Sequence, residues 1–473
     1  MKKQSKKFVL AGLFLLVIAM VLLPLSGCKN DSVPETPAAN LVSISVTPPA
    51  RTVYSVGQSF DPTGMVVTAT YDDEEPKDVT SLATTDFDTV AGVKGLNKTV
   101  TVNYTEGETT KTTTFTVTVF PAEVKVLTEL EYTSPNNTGS EWTYVEFGEW
   151  PQTIKEKGVE IGAGTLVRGG LSYHVGSDGN YCVEQKENAN GSGTTYQYSN
   201  REQAGQGGTS TKWFKVEPIV WRVLTEDYKD PDGKSTNNTL LLAESILTVG
   251  VLYYVSSNTR EITKEKETGT ETETVTVYPN NWQHSTIRAW LNGSYEANDT
   301  QNKTYNGIGF LQTAFTESAR KLIADTTVDN SATSTNPASN PNLWSGGNNP
   351  YACGKTTDKV FLLSQQEATT DVHLKDKGIT EDYGFDEYDR WVGDDYGTTT
   401  STRIRVTTDY AKATGAYQGD SSAGYGGWWW LRSPDYYDEF DTRVILSDGD
   451  ADYTDYVDFT NGGIVPALSI SLQ

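Results

Sequence analysis

The chain of 473 residues holds few cysteines, histidines and methionines, three of each. Three cysteines, Cys28, Cys182 and Cys353, exclude a disulfide-dense scaffold. His174, His284 and His373 are scattered, and neither they nor the cysteines show zinc-site spacing. Only one long apolar run exists, Phe8 to Leu23, so nothing downstream of it reads as membrane-spanning. Gly-x-Ser-x-Gly, His-Glu-x-x-His and phosphate-loop patterns are absent, and with them the common signatures of hydrolases, zinc proteases and nucleotide enzymes. Positive charge is scarce as well: 38 Lys and Arg face 62 Asp and Glu, for a net charge of −24. So acidic a chain is repelled by nucleic acid, and no nucleic-acid partner is expected. Carboxylates are so common that no pair stands out as a glycosidase dyad. No enzymatic activity, cofactor or metal is therefore expected.

What is present begins at the N-terminus. Lys2, Lys3, Lys6 and Lys7 precede the apolar run, and Leu25-Ser26-Gly27-Cys28 closes it. A basic start, a short apolar segment and small residues before a cut are the parts of a secretory signal. The pattern resembles a bacterial lipoprotein signal peptide over residues 1–27, with Cys28 as the lipidated residue. That resemblance implies a thioether-linked diacylglycerol and an acylated amino terminus. Several acyl chains anchor a protein far more firmly than one. The alternative, an uncleaved membrane helix, needs about 20 apolar residues, more than this run supplies. Cleavage removes four lysines and no acid, so the mature chain is more acidic still. Lys29 stands where an Asp would signal inner-membrane retention. The expected location is the bacterial envelope, outer membrane, facing outside. Residues 28–40 are polar, carry Pro34 and Pro37, and read as a tether.

Residues 41–120 alternate apolar and polar positions in short runs. Leu41 to Val46, Met65 to Tyr71, Thr99 to Tyr104 and Thr113 to Val119 are the clearest, the last two forming a hairpin around Glu106-Gly107. Such runs predict an antiparallel sandwich. Tyr54-x-x-Gly57-x-x-Phe60-Asp61-x-x-Gly64-Met65 resembles the signature of a group of bacterial immunoglobulin-like domains. The resemblance implies a β-sandwich spacer. Residues 121–140 read as a linker, with Ser134 to Ser140 a loop by composition.

Residues 141–473 read as one large domain. Strand-like runs (Glu217 to Leu224, Leu240 to Ala243) are followed by two helical patterns. The first is Trp282 to Asn292, with Ser285 as N-cap; the second is Phe310 to Ile323. Thr326 to Asn349 is polar and reads as a surface loop. Glu261 to Thr276 reads as an exposed hairpin or a disordered segment. Phe147 to Gln152, Pro218 to Leu224, Ser285 to Asn292, Ala314-Phe315, Lys359 to Ser364, Trp428 to Pro434 and Val465 to Leu468, in this order, resemble domain of unknown function family 6273. Inserts at 155–212, 229–236 and 326–349 depart from that pattern. The closing pattern also resembles C-type-lectin-like domains, which implies a β-core that displays a ligand-binding face near the C-terminus. The expected architecture is multidomain and β-rich: an immunoglobulin-like sandwich followed by an α+β, C-type-lectin-like domain with two short helices.

The candidate face is 435–460. It interleaves Tyr436, Tyr437, Phe440, Tyr453 and Tyr456 with Asp438, Asp441, Asp450, Asp452, Asp455 and Asp458, and carries one base, Arg443. Tyrosine and small polar residues give large rigid contact area with adaptable hydrogen bonding. The same composition also suits a hydrated hairpin pair with aromatics inside. Some lectin-like surface lipoproteins diversify such segments by error-prone reverse transcription at adenines, and the resemblance implies a variable segment here. Ser447 to Asp452 alternates carboxylates, but Tyr453 and Phe459 stand where a helix-loop-helix calcium loop needs Gly and Glu. A looser calcium site there or at Asp394-Asp395 stays open, as does the choice between a Cys182–Cys353 disulfide and two free thiols. The expected function is binding of an extracellular protein or carbohydrate. A structural envelope role and an enzyme with an unrecognised site are the alternatives. Trp428 to Trp430 read as packing.

Overall fold

The computed structural model describes residues 39–135, 142–188, 197–203, 210–255, 258–265, 271–335, 349–368, 402–419, 426–451 and 453–472. Cys28, the apolar run before it, His373, the Asp394-Asp395 pair and Asp452 lie outside the described residues. Among the described residues no helix is long and apolar enough to cross a membrane. The chain is β-rich, with several sheets and few helices.

Residues 41–120 form two sheets around one core. Strands Leu41–Thr47, Val66–Tyr71 and Lys77–Asp78 make one. Val53–Ser55, Thr109–Phe120, Gly95–Glu106 and Thr84–Thr85 make the other, in that order. The long pair turns at Glu106 and Thr109, with Gly107 in the left-handed region a tight turn requires. Alternation puts Val100, Val102, Phe115, Val117 and Val119 inward against Tyr54, Val67 and Phe87.

The larger unit is organised on a nine-stranded sheet. Its central strand, Thr211–Thr225, is long enough to serve three neighbours. Tyr144–Ile154 runs along one side of it. On the other side Tyr181–Lys186 pairs with its first half and Asn238–Ala243 with its second. Asn238–Ala243 pairs in turn with the last strand, Ala467–Ser471, which also pairs with Val360–Phe361. Leu240, Leu241, Leu242, Leu468 and Ile470 are wholly buried, as expected for strands covered on both faces.

Helix Thr286–Asn292 starts at Ser285, whose hydroxyl accepts from Arg288 N, and ends at Gly293 in the left-handed region. The second helical pattern is divided. Phe310–Ala314 stops at Phe315, which is extended, and Thr316 caps a new helix, Glu317–Arg320. A further helix, Asp409–Thr414, is capped by Thr408. Thr326 to Asn349 begins with ordered structure: Thr326–Asn330 pairs with Gly354–Asp358 and buries Thr326, Val328 and Asn330. Side-chain pairing with the buried Thr356 and Arg432 draws Asn330 inward. Glu261 to Thr276 contains a hairpin, Arg260–Glu265 against Thr272–Val277. Cys182 and Cys353 are both free.

The two units are in contact. Lys125–Val126, in the segment between them, pairs with Tyr144–Ile154, and Phe120, Val124 and Val126 join the larger core. The Ser55 hydroxyl donates to Val124 O and accepts from Val126 N. Gln58 Nε2 donates to Val126 O at 2.9 Å, and Lys94 Nζ to Ser471 O at 3.1 Å.

Candidate functional site

The C-terminal face is a three-stranded antiparallel sheet of Trp429–Pro434, Asp441–Ile445 and Tyr453–Tyr456. Its first strand is buried throughout. Trp430 N donates to Gly463 O and Gly463 N to Trp428 O, each at 3.0 Å, so this strand is flanked on both sides. Trp428 and Trp430 meet edge to face at 4.8 Å. The backbone of Gly462 lies against them: a Cβ there would sit 2.1 Å from Trp430 Nε1. Arg432 is buried, donating to Glu367 Oε1 at 2.9 Å, to Leu362 O at 2.7 Å and to Asn330 Oδ1 at 2.8 Å. A buried cation of this kind is tolerated because every donor has a partner.

Among the described residues the last strand pairs only with the middle one, in the register Asp441↔Tyr456 and Val444↔Tyr453. As an edge it leaves large side chains open to solvent: Tyr453 is 42 % exposed, Tyr456 51 %, and Tyr437, on the preceding turn, 67 %. Phe459 is also exposed and packs edge to face on Tyr456 at 5.5 Å. Tyr436 and Tyr437 meet in the same manner at 5.2 Å.

The turn that carries Tyr436 to Phe440 is fixed from beneath. Asp435 Oδ2 accepts from Tyr437 N and Asp438 N, and Asp438 Oδ1 accepts from Phe440 N. Asn280, fully buried, donates from Nδ2 to both Asp438 O and Asp441 O at 2.9 Å. Asn349 Nδ2 donates to Pro434 O, and the Thr259 hydroxyl to Glu439 Oε1. These three supports come from distant parts of the sequence and carried no readable signal.

The predicted face residues separate into two groups. Tyr436, Tyr437, Asp438, Phe440, Asp441, Tyr453, Asp455, Tyr456 and Asp458 reach the surface wholly or in part. Arg443 and Asp450 do not: both are buried, and Arg443 pairs with Asp435 at 2.9 Å. Arg443 thus braces the turn. Phe459, outside the predicted set, belongs to the exposed group.

Two of the acids here are desolvated by their surroundings. Burial pushes the Asp455 carboxyl up to about 6, and the Asp441 charge adds to the effect. Burial likewise raises Asp441, helped by Asp438 and Asp435 and opposed by the Thr454 hydroxyl that donates to it at 3.1 Å. Among the described residues no group of three or more His, Cys, Asp or Glu is placed to hold a metal ion. The face can stack on ligands, attract cations to its rings and accept hydrogen bonds.

No curated protein and no solved structure matches the chain. A family model does: domain of unknown function DUF6273 matches residues 236–472, which include the face, its buried frame and the helix Thr286–Asn292. The chain belongs to the DUF6273 family.

Proposed function

We propose that the chain is a lipid-anchored surface protein that binds an extracellular protein or glycan through the exposed aromatic turn and edge strand of its C-terminal sheet. One observation carries this reading. Tyr437, Tyr453, Tyr456 and Phe459 are solvent-exposed on and beside a sheet whose first strand is wholly buried. Open aromatics on a rigid frame are the usual anchors of a binding surface, since ordering them on contact costs little entropy. In this reading Cys28 carries the lipid, and the two facing sheets of 41–120 are an immunoglobulin-like spacer. The C-terminal domain is then lectin-like, with 435–460 free to vary between related copies.

The test is a triple variant, Tyr437→Ala, Tyr453→Ala and Tyr456→Ala, assayed for binding to host cells and extracellular matrix. Loss of binding with an unchanged melting temperature supports the reading. Retained binding with an intact fold sinks it and leaves a structural envelope role. Replacing Cys28 by Ser is expected to abolish acylation, read as the loss of the lipid mass by mass spectrometry.

A further inference from the structure

A second concave site lies apart from the aromatic face. It is a cleft of about 650 Å³, within the size range of small-ligand sites, about 300–1,000 Å³. Trp150, Trp290 and Tyr410 form its aromatic wall. The Trp150 ring meets Trp290 edge to face at 6.0 Å and Tyr410 at 6.2 Å. Phe310 packs behind them, 5.1 Å from Trp150 and 5.7 Å from Trp290. Trp150 and Tyr410 are buried, whereas Trp290 is half-buried and so offers ring surface to the cleft.

The rim is polar but carries almost no charge. Gln185, Asn188, Thr248 and Thr414 supply amides and hydroxyls. The Tyr410 hydroxyl donates to Gln185 Oε1 at 3.2 Å, which fixes that amide at the mouth. Among the described residues, Lys186 and Glu187 are the only charged ones of the lining, one of each sign. Glu187 is itself buried and accepts from the Tyr198 hydroxyl at 2.8 Å. In a chain of net charge −24 such local neutrality is unusual, and it removes any electrostatic preference for an ion.

We propose that this cleft is a second binding site, for a neutral saccharide. A sugar ring has C–H faces that lie against an aromatic surface and hydroxyl edges that suit amides and hydroxyls. The cleft presents both kinds of group side by side, with aromatic area for contact and a few polar groups for orientation. The site does not depend on the aromatic face for its argument. The two are joined through one backbone segment: Thr248 to Val251 lines the cleft, and Gly250 N donates to Thr460 O at 2.9 Å.

The experiment is saturation-transfer NMR on the full chain in a detergent without a sugar headgroup. Cellotriose, maltotriose and triacetylchitotriose are the neutral probes, with trigalacturonate and spermine as charged ones. At least one neutral trisaccharide is expected to receive saturation at its ring C–H protons. Trp290→Ala is expected to weaken it by about tenfold or more, and Leu82→Ala, exposed on the first unit, to leave it unchanged. Should Trp290→Ala fail to fold, Asn188→Trp, which fills the mouth from an exposed position, is expected to abolish the transfer. The inference is overturned if no neutral trisaccharide is saturated, or if neither cleft variant changes the signal. It is equally overturned if only a charged probe binds in a Trp290-dependent way. Sugar binding lost in Tyr456→Ala but kept in the cleft variants overturns it while leaving the aromatic-face reading intact.

Discussion

Two aromatic clusters occupy one small sheet and have opposite fates. Trp428, Trp429 and Trp430 are buried, whereas Tyr453 and Tyr456, with Tyr437 on the adjoining turn, stand in solvent. Ring number does not explain the difference. The tryptophan strand is flanked on both sides, by Asp441–Ile445 and by the backbone at Gly463. The tyrosine strand is an edge with a single partner. Edge strands are commonly guarded by charge, and this one is, with Asp455 on the strand and Asp458 after it. Placement in the sheet, more than side-chain chemistry, therefore separates buried aromatics from open ones.

The contrast can be broken from the buried side with the largest effect. Trp430→Ala is expected to cost about 3–5 kcal/mol in urea unfolding, the range for truncating a buried large aromatic. Gly462→Ala should also destabilise, because the new methyl group meets Trp430. A loss under about 1 kcal/mol for Trp430→Ala would show that this strand is not core. Next in size, Glu367→Ala leaves Arg432 buried without its carboxylate, at a cost of about 3 kcal/mol. Tyr456→Ala, on the open side, is expected to shift stability by no more than about 0.5 kcal/mol.

A change of pH sharpens the comparison in another way. The Asp455 carboxyl is raised to about 6, above the roughly 3.9 of an unfolded aspartate. Between those values the folded state holds the proton more tightly, so this group's contribution to stability falls as pH rises from about 4 to about 6. Burial moves His284 the other way, down to about 4, so its contribution rises with pH from about 4 to about 6.5. Asp441 and Asp299, both raised by burial, act in the direction of Asp455. Asp455→Asn removes one term only. The stability of the variant relative to the parent is therefore expected to grow from pH 4 to pH 6 and then level off. Urea midpoints at four pH values across that window would measure it, and a flat difference would place Asp455 in ordinary solvent.

Much of this was legible where periodicity is strong. The alternating runs of 41–120 became strands, Ser285 became an N-cap, and the tryptophan run became core. Composition located the open tyrosines, but it could not separate them from Arg443 and Asp450. A lone base among acids looks like a contact residue, and only the fold shows it turned inward to Asp435. Asn280, Asn349 and Thr259 were unreadable because their role is set by distance in space across long stretches of chain. The polar stretch that opens at Thr326 looked like loop because its burial depends on polar partners, which hydropathy patterns do not register. The cleft leaves no mark on the sequence because its residues are contributed by many separate segments.

The strand Ala467–Ser471 bears on how the protein is made. It sits between Asn238–Ala243 and Val360–Phe361, and Ser471 O also receives Lys94 from the first unit. Neither the central sheet nor this link to the early residues can close until residue 471 is available. A chain emerging N-terminus first would complete the small two-sheet unit early and hold the larger one open until residues 467–471 emerge. Its wholly buried leucines would be uncovered throughout that wait. Whatever handles the chain before then must shield them, and deletion of the strand Ala467–Ser471 should be far more damaging than its length suggests.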